Sequence, residues 1–594
     1  MKFPASICAR MSCAVVLLSF GAGQAQTPQF KAETRLVLVD VVASDQSDQP
    51  VLGLKAADFK VFEDGKLQQI RFFDPHTVTI QAKTTQSPRQ LPPHVYTNVP
   101  EEDPGIVRTV VLFDTLNTPT ADQVYARREM VKFLKVLPKG QSVALFTLGK
   151  QLRMVHGFGG TSDELLAAAE KIIPEHSPLV TTDTQRQDAL DEIVKIENAS
   201  AVNLPPRATA GPMSGASAQS ESSGGSSTTV SGYTDRLREF MHENEATYDD
   251  LRVRMTVDAL KVLAHGVSGY PGRKNLIWLS AAFPFSLGPN PEISDHTRSM
   301  RSYDSVLRDT AAELAAERIS VYPIDVRGLT GSGAAISSSG ESSTGYTSQG
   351  IPRFSKVMDG QSTELFNAHN TMNDIATQTG GKAFYDTNGL EGAMRRSIAR
   401  GASYYTLAYA PQNTAWDGRF RKVEVKLSRS AKIEYRHGYF AVGELGPRSE
   451  KEIKEMLMTA IQPGTLDSTM MPFVVQVLPP EKPTDPVTVQ YVIDPRQVLF
   501  KETPDSVRHA VIDLMTVAWD DKDHDAGHTS DTLEAALSPE TFQKVSQTGI
   551  RAHQQLLLKP GSYHLRIGVM DRTNQNIGTV DVPVTVASSE PAAK

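Results

Sequence analysis

Four short apolar segments limit the folds open to this chain. Thr109–Phe113 is apolar without alternation and ends at Asp114, as expected of a strand buried on both faces. The other three segments are Ser142–Leu148, Asn275–Ser280 and Ile319–Ile324. Stretches with helical spacing separate them, and strands that alternate with helices predict a parallel sheet covered by helices on both faces. We therefore predict an α/β domain over residues 106–400.

The segments on either side of this domain have the sequence pattern of β structure. Short apolar runs with turn residues between them predict a small N-terminal β unit over residues 30–80 and further strands over 403–445. Because each part alone has few strands, we hypothesise that the two parts form one sandwich into which the α/β domain is inserted. A last β region over 465–588 is typical of a C-terminal β-sandwich.

Three other segments are predicted to lack regular structure. Prolines between residues 75 and 105 favour an extended connection, because proline supplies no amide donor to a β ladder. Residues 199–232 and 331–350 are rich in Ser and Gly and bury little apolar surface, so we expect mobile surface insertions there.

The first 25 residues resemble a signal peptide. A basic start precedes the apolar stretch Cys13–Phe20, and small residues follow, with cleavage predicted after Ala25. Both cysteines of the chain lie in this segment, which excludes disulfides and cysteine metal sites from the processed protein. We therefore expect an exported protein, periplasmic or secreted, with no transmembrane segment after cleavage.

The charge of the chain bears on its partners. A formal net charge of -7 over 594 residues provides no basic field to neutralise a phosphate backbone. Nucleic acid is therefore a poor candidate partner, and a protein or cell-surface ligand is the better expectation. The three tyrosines of the segment Ser403–Tyr409 suggest a sugar-stacking patch, but strand positions favour packing in a sheet.

Five motifs carry a resemblance to a known family. They are the segment DTLNT at 114–118 together with DFKVFEDG at 58–65, PGRKNLIWLS at 271–280, YPIDVRGL at 322–329 and RHGYF at 436–440. The first resembles the start of a von Willebrand factor type A (VWA) domain, and the set resembles the exported VWFA-related family catalogued from acidobacteria. The resemblance implies a Rossmann-like VWA domain flanked by β-sandwich units.

VWA domains hold a divalent cation in a metal-ion-dependent adhesion site (MIDAS), and the resemblance implies a degenerate one here. Asp114 matches the first acid of that site and Thr118 its second hydroxyl. Leu116 stands where the first hydroxyl should be, and Ala281 replaces the second acid. Asn117 and Ser280 are candidate substitute ligands, so the candidate metal set is Asp114, Asn117, Thr118 and Ser280.

The later threonine of the adhesion site has no secure match, and Thr181, Thr182 and Thr256 are the candidates. The cofactor would be Mg²⁺ or another divalent cation, which prefers oxygen ligands. The alternative is structural: Asp114 and Thr118 would cap the following helix, where a carboxylate meets free amides.

The expected function is non-enzymatic, with no catalytic residue identified. The top face of the VWA sheet, around residues 114–118 and 280–283, would bind a protein or surface partner, with Ala281–Phe285 adding apolar area. Two alternatives stay open: a hydrolase acting on envelope polymers with the sandwiches as binding modules, and a structural envelope component whose metal position is filled by side chains.

Overall fold

A computed structural model describes most of the chain. The described residues are 35–77, 91–99, 107–138, 141–180, 185, 188–189, 191–196, 225–281, 283, 303–328, 350–441, 449–480, 482 and 484–587. The predicted signal peptide lies outside them, as do residues 199–224 and 331–349 of the predicted insertions. Among the described residues, no helix combines the length and apolar character that a membrane crossing requires.

The strands of the described residues fall into five sheets. In chain order they are β1 (Val37–Ser44), β2 (Phe59–Glu63), β3 (Lys66–Gln68), β4 (Ile70–Thr77), β5 (Val95–Thr97), β6 (Arg108–Asp114), β7 (Ser142–Leu148), β8 (Leu152–His156), β9 (Lys274–Ser280), β10 (Ile319–Asp325), β11 (Ser403–Tyr409), β12 (Phe420–Leu427), β13 (Lys432–Glu434), β14 (Gly438–Phe440), β15 (Phe473–Leu478), β16 (Val487–Ile493), β17 (Lys501–Glu502), β18 (Arg508–Trp519), β19 (Asp525–Leu537), β20 (Ile550–Leu556), β21 (Gly561–Asp571) and β22 (Ile577–Val586).

The helices lie mostly between strands of the central sheet. They are α1 (Thr120–Lys135), α2 (Ser162–Glu170), α3 (Gly225–Ser268), α4 (Asp304–Ala316), α5 (Gly350–Thr379), α6 (Leu390–Ala402), α7 (Glu450–Ala460) and α8 (Pro539–Thr548). Helix α3 begins at Gly225, so the prediction that the insertion extends to residue 232 is wrong at its end. The later part of the same helix, from Val253 to Val267, packs on the sheet.

The central sheet has the order β10-β9-β6-β7-β8. The pairs β10–β9, β9–β6 and β6–β7 are parallel, which confirms the predicted parallel core, and β8 adds an antiparallel edge. Every residue of β6, β9 and β10 is buried. Helices α3, α4 and α5 cover the face that carries Trp278, and α1, α2 and α6 cover the face that carries Ile277. Both faces are therefore dry, as the apolar runs predicted.

The N-terminal strands and the strands after α6 form one sandwich. Its sheets have the orders β13-β1-β11-β4 and β14-β12-β2-β3. Strand β1 pairs with β11 in the register Val37↔Tyr409, and β2 pairs with β12 in the register Val61↔Val425. These are the contacts that the hypothesis of an inserted α/β domain required. The tyrosines of β11 pack in the sheets, since Tyr404, Tyr405 and Tyr409 are buried.

The C-terminal sandwich takes one strand from the connection between the first two units. Its sheets have the orders β20-β16-β15-β5 and β17-β18-β21-β22, and β19 pairs with β18. Strand β5 pairs with β15, and the side chain of Asn98 bonds the backbone of Ser468, Met471 and Phe473 at 2.7–3.0 Å. The expectation that residues 75–105 only connect is therefore wrong for β5.

The same expectation is wrong at the other end of that connection. Residues 75–77 belong to β4, where Pro75 lies opposite Tyr405. Proline is tolerated there because β4 is an edge strand, and the missing amide hydrogen faces outward rather than toward a partner.

A charged seam joins the first sandwich to the α/β unit. Arg318 forms a two-pronged bond with Asp40 at 2.7 and 3.0 Å, and Thr406 donates to the same carboxylate at 2.7 Å. Arg318 beside Asp40 holds the pKa of that carboxyl below its usual range although burial opposes this. The pair is partly buried, and an ion pair with this geometry fixes orientation more than it adds stability.

Candidate functional site

The candidate site lies at the carboxyl edge of the central sheet, where ligands bind in open α/β sheets. Asp114, Ser280 and Asp325 are the last residues of β6, β9 and β10. The register pairs Asp325 with Ser280, so the three side chains belong to neighbouring strands of one edge. The parallel order of these strands brings together residues that are far apart in sequence.

The carboxylate of Asp114 accepts four hydrogen bonds from the protein. Its Oδ1 accepts from the backbone N–H of Asn117 at 2.9 Å. Its Oδ2 accepts from Asn117 Nδ2 at 2.9 Å, from the Trp278 indole N–H at 3.0 Å and from the Ser280 hydroxyl at 3.0 Å. Asp114 is only 1% exposed. The carboxylate therefore ties the β6–α1 loop to strand β9.

Two further hydroxyls complete the network. Asn117 Nδ2 also donates to Thr256 Oγ1 at 3.0 Å, which brings helix α3 into the site. Thr118 Oγ1 accepts from the backbone N–H of Ala281 at 3.1 Å. Of the three threonines considered for the later hydroxyl, Thr256 lies in the site, whereas Thr181 and Thr182 lie outside the described residues.

The structure brings all four predicted site residues together in one hydrogen-bonded network. The donors on Asp114 point N–H and O–H hydrogens at both carboxylate oxygens, and an indole N–H can only donate. Asn117 Oδ1 is buried without a hydrogen-bond partner, and this single oxygen does not replace two occupied carboxylate oxygens. Within the described residues, no group of three or more His, Cys, Asp or Glu side chains has metal-site geometry. A cation at this position would therefore have to displace donors that the protein itself supplies to Asp114.

The helix-capping alternative is also wrong in its details. Helix α1 begins at Thr120, its N-cap is Pro119, and no side chain caps it. Asp114 instead bonds the backbone N–H of Asn117 in the loop before the helix, and Thr118 bonds strand β9. The two side chains close a loop between strands rather than the end of a helix.

Buried apolar side chains surround the hydrogen-bonded network on both faces of the sheet. Leu116 and Phe283 belong to the core cluster that covers one sheet face, and Phe283 packs edge-on against Trp278 at 4.8 Å. Ala281 belongs to the cluster on the other face. These three side chains are at most 3% exposed. The expectation that residues 114–118 and 280–283 present an apolar face to a partner is therefore wrong for the described ones, because the chain's own core covers them.

A second polar cluster at this edge was not identified from the sequence. Asp325 accepts a two-pronged ion pair from Arg327 at 2.7–3.2 Å, and His369 Nε2 lies 3.3 Å from Asp325 Oδ2. The His369 ring stacks on Tyr385 at 4.1 Å. Asp325 and Arg327 lie in the segment YPIDVRGL, whose charged residues at a strand end were the available signal; His369 on α5 had none.

Burial sets the electrostatics of the two clusters differently. Burial raises the pKa of Asp114, and hydrogen bonds from Asn117, Trp278 and Ser280 offset part of that rise. His369 and Arg327 lower the pKa of Asp325 despite its burial. The edge thus holds a carboxylate without a cationic partner beside one that is ion-paired.

The comparisons with known proteins were made for the whole chain. No family model and no curated protein matches it. An aerotolerance-related membrane protein from Bacteroides fragilis shares 12% identity over 50% of this chain and 98% of its own, with a TM-score of 0.21. Proximal thread matrix protein 1 from the mussel byssus, with a zinc-occupied MIDAS motif, shares 10% over 53% and 50%, with a TM-score of 0.22.

A third solved structure, the conserved hypothetical protein BatB from Bacteroides thetaiotaomicron, shares 10% identity over 50% of this chain and 98% of its own, with a TM-score of 0.19.

Proposed function

We propose that the chain is an exported, non-enzymatic interaction protein built on a VWA-type domain whose adhesion site has become a metal-independent structural network. One observation supports this proposal above the others: the only carboxylate that matches the adhesion motif is buried and accepts four hydrogen bonds from the protein. A cation would have to displace some of these donors, and a carboxylate buried in this way does not reach a substrate as an acid or base.

The partner would be a protein or a cell-surface ligand, and it would contact the part of the edge that remains accessible. The side chains of Arg327 and His369 are 19% and 16% exposed, and Asp122 lies partly buried near Arg327. Asn388 is exposed, and its side chain lies against Gly328, the residue that follows Arg327. Its carbonyl accepts a hydrogen bond from the Tyr125 hydroxyl at 2.8 Å. This charged rim, rather than the buried loop 114–118, is the surface we assign to partner recognition.

The metal-independent part of the proposal is tested by calorimetric titration. The mature chain, treated with a chelator, is titrated with Mg²⁺, Mn²⁺, Ca²⁺ and Zn²⁺ beside an Asp114→Ala variant. We expect no saturable heat that depends on Asp114. Saturable binding to the parent chain that disappears in Asp114→Ala would overturn the assignment of a structural network.

The interaction part is tested by site-directed crosslinking in the cell. A photoreactive amino acid replaces Asn388 on the charged rim, and a control copy carries it at Asp309, which is exposed on α4. We expect one discrete adduct from position 388 and none from position 309. Equal patterns from both positions, or none from 388, would favour a structural envelope component instead.

Export is tested separately by the mass of the protein recovered from a bacterial host. Removal of residues 1–25 is the expected result. A cytoplasmic product of full length would contradict the signal-peptide prediction without bearing on the Asp114 network.

A further inference from the structure

Helix α3 carries large apolar side chains on the face that is turned away from the core. Four of them are exposed: Tyr233 and Phe240 at 59%, Leu251 at 44% and Tyr248 at 40%. Leu260 of the same helix is fully buried, and at about 100° per residue it lies on the opposite side from Leu251. Exposed apolar groups that cluster on one face mark a surface of contact with another molecule.

These side chains belong to a regular stripe of seven positions. The positions are Tyr233, Leu237, Phe240, Asn244, Tyr248, Leu251 and Met255. Their spacing repeats every 11 residues, a pattern that keeps side chains on one face of a helix that packs lengthwise against another. At about 1.5 Å per residue the stripe is roughly 33 Å long. Met255 already packs partly on the core of its own chain, so the stripe runs outward from the body of the protein.

The stripe has the same pattern when it is read from either end. Asn244 is its midpoint, and the positions that lie at equal distances on either side carry similar residues. The pairs are Phe240 with Tyr248, Leu237 with Leu251, and Tyr233 with Met255. In an antiparallel pair of such helices, an aromatic ring would face an aromatic ring and a leucine would face a leucine. A surface that complements itself under a two-fold rotation is what a symmetric dimer requires.

The midpoint residue supplies the polar element of the stripe. Asn244 is half-buried, and its side-chain amide carries both donors and an acceptor. Two copies of the amide that face each other can therefore exchange hydrogen bonds. A single asparagine in an apolar seam fixes register, because any other alignment leaves its amide against apolar groups. The register that places Asn244 opposite its own copy is also the one that matches the three pairs.

The exposed area is sufficient for a small interface. An aromatic side chain buries about 150–250 Å² when it is fully covered, so the four exposed side chains offer roughly 400 Å² per copy and roughly 800 Å² per pair. Specific interfaces bury about 1,200–2,000 Å² in total. The side chains that flank the stripe would supply the remainder. We therefore expect a reversible dimer rather than an obligate one.

Charge argues against a membrane surface as the occupant of the stripe. Residues 233–255 contain six acidic and four basic residues. Helices that lie on membranes are instead rich in Lys and Arg on their polar face, which attracts them to anionic lipids. A protein partner therefore fits this helix better.

We propose that helix α3 pairs in antiparallel orientation with α3 of a second copy of this chain, with Asn244 at the two-fold axis. Self-complementarity selects the second copy among protein partners, because an unrelated partner would not require the stripe to be symmetric about one residue.

The dimer is tested by sedimentation velocity of the mature chain at loading concentrations from about 1 to 100 μM, a range suited to the weaker affinities of small interfaces. Phe240→Glu and Tyr248→Glu each place a charge in the apolar seam and should weaken dimerisation at least about tenfold. Both side chains are exposed in the single chain, so circular dichroism should stay unchanged. The matched control is Glu239→Ala, which is exposed on α3 outside the stripe and should leave dimerisation unchanged.

Orientation is tested by cysteine crosslinking. The chain without residues 1–25 contains no cysteine, so one introduced thiol per chain can form a disulfide only with its own copy. Asn244→Cys places the two thiols at the two-fold axis and should crosslink under mild oxidation. Tyr233→Cys is the control, because 11 residues on each side of the axis separate its two copies by roughly 33 Å, far beyond the reach of about 7 Å between disulfide-linked Cα atoms.

Three results would overturn the proposal. The first is a chain that stays monomeric at every concentration, whether or not it binds vesicles of phosphatidylcholine and phosphatidylglycerol. The second is a dimer that persists unchanged in both glutamate variants. The third is equal crosslinking of Asn244→Cys and Tyr233→Cys, since a parallel or random association would bring both positions together.

Discussion

Replacing Asp114 by alanine tests whether the buried carboxylate is a structural tie. In the parent chain this group satisfies the backbone N–H of Asn117 and the indole N–H of Trp278, and each has only this partner among the hydrogen bonds described above. Asn117 Nδ2 keeps Thr256 as a second acceptor. The substitution therefore leaves two buried donors without partners.

The expected loss of stability in Asp114→Ala follows from those two donors. An unsatisfied buried donor costs about 1–3 kcal/mol, so the loss is about 2–6 kcal/mol before compensation. Burial of the carboxylate itself costs free energy, so removing it offsets part of this loss of stability. We expect the free energy of unfolding to fall by about 2–4 kcal/mol, a large share of the roughly 5–15 kcal/mol of a typical domain.

The assay is chemical denaturation followed by tryptophan fluorescence, with Asp309→Ala as the control on the exposed face of α4. The control should change the free energy of unfolding by no more than about 0.5 kcal/mol. A loss below about 1 kcal/mol in Asp114→Ala, with metal-dependent stability in the parent chain, would refute the structural interpretation.

Acid titration adds a second readout for the same group. Burial raises the pKa of Asp114 in the folded chain, so the folded state binds the proton more tightly than the unfolded state. Stability from this group is therefore present at low pH and is lost as pH rises from about 3.9 toward the folded pKa. The Asp114→Asn variant should lack this component, and an unchanged pH profile would contradict the assignment.

Three further changes test the packing of the other units. Gly381→Ala should lower the free energy of unfolding by about 3 kcal/mol or more, because the added Cβ would lie 1.9 Å from the Val321 carbonyl oxygen. Thermal unfolding measures this loss, and Gly159→Ala is the control because its added Cβ meets nothing within 4 Å. Asn98→Ala should cost about 2–3 kcal/mol by releasing β5 from β15, seen as faster amide exchange in β15, and unchanged exchange would contradict it. Burial lowers the pKa of Lys274 to about 8, so the free energy of unfolding should rise with pH from about 8 to 10.4, and Lys274→Met should remove that rise in denaturation at stepped pH.

The local sequence determined the elements of the central sheet. The predicted segment Ser142–Leu148 is β7 without change. The segments for β9 and β10 differ from the strands by one residue at one end, and the segment for β6 differs by one residue at each end. Such segments are readable because a strand buried on both faces requires contiguous apolar residues, and this requirement is met within a few residues of chain. The alternation of these strands with helices likewise predicted the parallel order.

Only the tertiary structure decided what the polar residues do. Asp114 was identified from its position at a strand end, but its partner Trp278 is 164 residues away, and neither residue's neighbours in the sequence indicate that the indole N–H donates to this carboxylate. His369 on helix α5 joins Asp325 at the end of strand β10 from 44 residues away. The chemistry of the edge therefore depends on which side chains the register brings together.

The same reason explains the errors at the connections. Residues 75–105 have the proline content of an extended link, yet Asn98 bonds backbone groups some 370 residues later. Val95–Thr97 are residue types that favour strands, but three residues form a strand only where a partner edge supplies the hydrogen bonds, and here β15 supplies it. Short-range patterns encode burial and periodicity, whereas pairing between distant edges is settled by the assembled surfaces themselves.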